Sequence, residues 1–150
     1  MNKNLKIILA TSAGLLTGAM GVVVTGYLAA IAVPEGYFAW FQEHLSIRIG
    51  LGLLDTVQHI ICFGILLLAA GYLVTRRLHL PPLIAALCLL TGLWVYCTIG
   101  VALFYDAPAT NPIHSMNMPV VIMLVIHIIF VAIGIFLASK HNHAMHATSA

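Results

Sequence analysis

Apolar residues run through this chain in four long blocks separated by short polar interruptions. The blocks cover residues 7–31, 49–74, 83–104 and 120–138. A helix of about 20 residues rising 1.5 Å each crosses roughly 30 Å of hydrocarbon, so every block can span a bilayer. Lipid offers no partner to an unpaired backbone amide, which makes helices of such spans. The pattern predicts an all-α membrane protein: four transmembrane helices in an up-down bundle forming a single domain over 1–138, then a His-containing tail over 139–150.

The polar interruptions set the expected orientation. Lys3, Lys6, Arg76, Arg77 and Lys140 fall on one side of the alternating spans, and Arg48 alone falls on the other with Glu35, Glu43 and Asp106. Basic residues flanking spans stay in the cytoplasm. Both termini are therefore expected to be cytoplasmic, with loops 32–48 and 105–119 outside, in a bacterial inner membrane. Lys3, Lys6 and the segment Ala30-Ile31-Ala32 also have the look of a secretory signal. A signal's apolar region runs about 7–15 residues, whereas 7–33 is uncharged throughout, so the first block is expected to remain as a span.

The first outer loop carries a further pattern. Tyr37, Trp40, Phe41 and Leu45 recur on one helical face, with Gln42, Glu43 and His44 turned from it. Aromatic rings favour the headgroup zone, so this reads as a short interfacial helix; a lid over a substrate is the alternative. Pro81-Pro82 and Pro119 stand where helices begin.

Composition agrees with the pattern. Of 150 residues, 62% are hydrophobic and 7% charged, with mean hydropathy +1.08. These values exclude a disordered chain and a soluble domain. A net charge of +2 is too small for a nucleic-acid partner. Cys62, Cys88 and Cys97 all lie inside blocks, which gives no disulfide framework. Trp94 and Tyr96 read as core. The chain contains no nucleophile elbow, phosphate loop or H-E-x-x-H motif, which disfavours hydrolase and ATPase readings.

Candidate chemistry lies in what lipid would not require. Ala10, Gly14, Gly18 and Gly21 form a small-residue face in the first block, extended by Gly26; such faces pack helices closely, within a bundle or between copies. A flat cofactor against the glycines is the other reading. In the second block Asp55, Gln58, His59 and Cys62 share a helical stripe. Charged groups in hydrocarbon normally face the interior of a bundle and mark functional sites; a plain interfacial acid bonded to His59 is the structural alternative.

His127 is the strongly polar group of the last block. Counted from the outer ends, His59 and His127 are expected roughly 15 and 11 Å deep. Helices two and four of an up-down bundle are diagonal, about 11–14 Å apart, the separation that two axial imidazoles of a haem b would need. Arg48, at the outer edge, would meet a propionate, with Asp55 and Gln58 in support. Separately, His114, Met116 and Met118 alternate in the second outer loop, a donor set suited to Cu(I). His141, His143, Met145 and His146 form a similar cluster in the tail, on the opposite face.

Gly18-Ala-Met-Gly21, Val57-Gln58-His59 and the adjoining Phe63-Gly64-Ile-Leu-Leu-Leu run resemble the YgdD-like family of small four-helix inner-membrane proteins of unknown function. The resemblance covers about residues 14–138 and implies the architecture without a reaction. Three functions fit this reading best, a transporter or channel being disfavoured because four helices with one near-surface acid offer little polar pathway unless the protein oligomerises. The first is a non-enzymatic accessory or assembly protein, packed as a homo-oligomer or in a larger membrane complex. The second is a haem b redox subunit using His59 and His127, and the third a copper-handling protein using His114, Met116 and Met118.

Overall fold

A computed structural model describes residues 1–29, 31, 33–34, 36–100 and 118–147. These form α1 (Lys3–Ala29), α2 (Tyr37–His44), α3 (Ile47–His59), α4 (Ile65–Leu78), α5 (Pro82–Val95) and α6 (Met118–Ala147). A π-helical turn, Ile60–Gly64, joins α3 to α4 without a break, and a second, Tyr96–Gly100, prolongs α5. Four helices are long and apolar enough to cross a membrane: Lys3–Leu28, Ile47–Leu78, Pro82–Ile99 and Val121–His141. The described residues contain no strand.

Local chemistry explains the boundaries. Ser46, extended at φ −159°, caps α3 by accepting from the Arg48 amide. His79 ends α4 in the left-handed region, φ 49° and ψ 42°, and its amide reaches the Thr75 carbonyl at 3.2 Å. Pro82 then opens α5, where its missing N–H costs nothing. The last helix does not stop at the expected boundary of 138 but runs on to Ala147. Five hydroxyls within the spans are satisfied inside their own helices: Thr17, Thr25, Thr56, Thr98 and Ser139 each donate to the carbonyl four residues back, whereas buried Thr75 has no partner among the described residues.

The bundle is arranged as two tight pairs. Gly14 lies against Leu89 and Gly92, and Gly18 against Tyr96, so α1 packs on α5 with residue numbers rising together. The pair is parallel. The same progression joins the second and fourth spans: His59 meets His127, Gly64 meets Phe130, Gly71 meets Val131, and Tyr72 meets His141. That pair is parallel too. The three-residue link from α4 to α5 makes those helices antiparallel, so direction alternates along the chain as expected.

Neighbour relations differ from the expected ones, since the second and fourth spans touch directly and are not diagonal. The reason is glycine. A β-carbon on Gly92 would collide with the Thr11 carbonyl, one on Gly134 with the Leu68 carbonyl, and one on Gly71 would come 2.9 Å from the Val131 carbonyl. Backbones can meet this closely only at residues lacking a side chain. Phe63, fitted against Gly21, joins the two pairs, and Leu67, Leu89, Leu93 and Val131 fill the fully buried centre.

Candidate functional site

His59 closes α3 one residue before the π turn, and His127 lies in α6 beside it. Their ring centroids are 6.2 Å apart, tilted by 33°. Phe63 completes the cluster, stacked on His59 at 5.2 Å and tilted against His127 at 5.5 Å. The spacing of four from His59 to Phe63 would stack the two rings on any helix, and the extra residue of the π turn re-aims the side chains of α4 beyond it.

His127 is 7% exposed, and among the described residues neither of its ring nitrogens has a hydrogen-bond partner. His59 Nδ1 is likewise buried and unpartnered. Asp55 Oδ1 stands 3.8 Å from it, one helical turn toward the bundle end that carries α2. The His59 side chain is 15% exposed and that of Asp55 49%, so the acid stands at the mouth and the imidazoles lie behind it. A buried polar group left unpaired costs about 1–3 kcal/mol, and His127 leaves two such atoms. The chain tolerates a polar cluster that packing alone would not select.

A crevice of about 50 Å³ lies between α3 and α6, lined by Gly52, Asp55, Thr56, Ile122, Met123 and Ile126, with Asp55 the one member of the cluster that borders it. It is large enough for one or two small guests. Wider grooves lie on the outer surface. Arg48, Asp55 and Gln58 line one with Leu51, Gly52 and Leu54, and Gln58 also lines another with Leu28, Tyr37 and Ile61.

The structure therefore divides the expected stripe. Asp55 and His59 join His127, whereas Gln58 lines the outer grooves and Cys62, fully buried, belongs to the core. Arg48 precedes His59 by eleven residues, about 16 Å along a helix, and shares a groove with Asp55 rather than with the imidazoles. Gly14, Gly18 and Gly21 pack inside the bundle, the first of the two roles expected of them. His114 and Met116 lie outside the described residues. Met118 begins α6, its side chain likewise outside them. In the tail, exposed His141 stands 6.4 Å from the Tyr72 ring, and the side chains of His143, Met145 and His146 also lie outside the described set.

Phe63, the π turn, and the glycines Gly71, Gly92 and Gly134 are the parts that sequence reasoning missed. Phe63 alone carried a usable signal, its spacing of four from His59. Compared with protein families, curated proteins and solved structures, the chain matches none.

Proposed function

We propose that this protein is a small non-enzymatic accessory subunit of an inner membrane, with both termini cytoplasmic, whose chemistry is a bis-imidazole metal centre formed by His59 and His127. The observation that carries the proposal is the 6.2 Å separation of two rings, with both nitrogens of His127 buried and without a partner among the described residues. Two imidazole nitrogens, each about 2 Å from a shared metal, leave their ring centres about 6 Å apart. Asp55 supports the same reading. A carboxylate beside one nitrogen of a ligating histidine fixes its tautomer and leaves the other nitrogen for the metal.

Haem iron and a bare ion would use the same two donors. Resemblance to the YgdD-like proteins adds only the expectation of a four-helix membrane architecture. The test is total-metal analysis of detergent-purified protein, with a dithionite-reduced minus oxidised spectrum. Roughly one metal per chain is expected in the wild type and little in His59→Ala or His127→Ala. A wild-type protein that carries no metal, takes none up and shows no haem band rejects the centre.

A further inference from the structure

Resting on the bis-imidazole reading, we infer that the ion held by His59 and His127 is a bare monovalent soft cation of the Cu(I) class, not a haem iron. Space argues first. Phe63 lies against both imidazoles, at 5.2 and 5.5 Å, where a macrocycle clamped between them would extend. Just past the pair, a β-carbon on Gly64 would sit 3.1 Å from the Phe130 ring, so the second and fourth spans are already in contact. Farther along, Gly71 and Gly134 seat each helix on the other's backbone. A haem would have to part helices that the glycines hold together. A single ion needs no such opening.

Donor count and charge choose the ion. Among the described residues no group of three His, Cys, Asp or Glu could hold a metal, so the pair offers two donors. Zn²⁺ in protein sites takes four ligands, and other imidazole-bound divalent metals take four or more. Cu(I), a d10 ion, is stable with two donors in line. The cost of placing an ion in a low-dielectric medium grows with the square of its charge, which again favours a monovalent ion here. Phe63 offers an aromatic ring beside it, and such rings attract cations. Asp55, at the mouth, supplies the compensating negative charge.

The neighbourhood adds two structural marks. The crevice lined by Asp55, Thr56 and Ile126 lies between α3 and α6 beside Asp55, on the α2 side of the pair. The π turn begins at the residue after His59, and turns of this kind recur at functional sites in helices. Binding moves no electron: the ion exchanges its solvent ligands for two neutral imidazoles, and Asp55 remains a second-sphere partner.

The experiment is anaerobic Cu(I) titration of the full chain in mild detergent against a chromophoric competitor, with X-ray absorption on the loaded wild type. One Cu(I) per chain is expected, with two nitrogen scatterers at about 2 Å. Affinity should fall at least tenfold in His59→Gln and in His127→Gln, about tenfold in Asp55→Asn, and remain unchanged in the Met116→Leu/Met118→Leu variant. Monodisperse elution and far-UV circular dichroism establish that each variant folds, and the wild-type absorption spectrum stands independently of them. Copper bound through sulfur, or retained by both histidine variants, overturns the inference. A haem band with the same histidine dependence also overturns it while leaving the bis-imidazole centre standing. Protein that takes neither copper nor haem sinks both.

Discussion

At Gly92 and Gly134 there is no room for even one methyl group, because the atom it would strike is a backbone carbonyl of the facing helix. Backbone cannot swing aside as a side-chain tip can. Gly92→Ala and Gly134→Ala should therefore each destabilise the bundle by about 1–3 kcal/mol, the usual cost of overpacking, while Gly26→Ala and Gly52→Ala, which face nothing within 4 Å, should not. Thermal unfolding in detergent, followed by circular dichroism, distinguishes the two sets; equal losses at all four positions would remove the glycine crossings as the basis of the fold. His79 is a residue-scale case of the opposite sign. It holds φ 49° without being glycine, and left-handed backbone costs an L-residue roughly 1–2 kcal/mol. His79→Gly should raise the unfolding temperature, and a fall would show that the imidazole itself anchors the turn. The glycine face of α1 was legible in the sequence because its members recur at helical spacing. Gly92, Gly71 and Gly134 stand singly in apolar runs, and nothing in a run that is apolar on every side says which way it is rotated.

The second span shows how one element decides the site. Its α3 half carries Asp55 and His59, its α4 half carries the packing against α6, and the Ile60–Gly64 turn sets the angle between them. A π turn accommodates one extra residue. Deleting Ile61 should let the turn close as ordinary α-helix, which rotates α3 by about 100° relative to α4 and carries His59 away from His127. Thr56 and Ile122 line one crevice in the native bundle, so a Thr56→Cys/Ile122→Cys pair should join through a short bifunctional thiol reagent. The deletion should abolish that product without abolishing the helices. Cross-linking that persists would mean the turn is not what orients α3. The same turn explains a misreading. Asp55, Gln58, His59 and Cys62 share a stripe on a regular helix, but Cys62 lies inside the wide turn and faces the core, which no feature of its composition announces. The matching depths of His59 and His127 needed only a count of residues from the span ends, and that part of the site was readable.

Taken whole, the molecule sorts its charges through its packing. Parallel pairing of α1 with α5 and of the second span with α6, joined by the short α4–α5 link, brings the start of α1, the end of α4 and the end of α6 together. Lys3, Lys6, Arg76, Arg77 and Lys140 therefore share one end, where Arg76 also donates to the Tyr72 hydroxyl at 3.2 Å. Glu43 and Arg48 belong to the other end, beside α2, whose Phe41 is buried against Gly50 and whose Tyr37 hydroxyl donates to the Gly50 carbonyl at 2.8 Å. A basic end of this kind is expected to stay in the cytoplasm. A fluorescent protein fused after residue 150 should then light up inside cells, and Ser46→Cys should react with a membrane-impermeant maleimide added outside while His79→Cys reacts only after lysis. The reverse pattern would place the basic end outside. For the proposed centre, orientation also sets which side of the membrane the Asp55 crevice lies nearer. In right-side-out vesicles, external Cu(I) should protect a chain carrying Thr56→Cys from a small thiol reagent while His59 and His127 are present and not in the His59→Gln/His127→Gln background, whereas copper confined to the lumen should not; protection only from the lumen would leave the bundle's topology intact and move the entrance to the basic end.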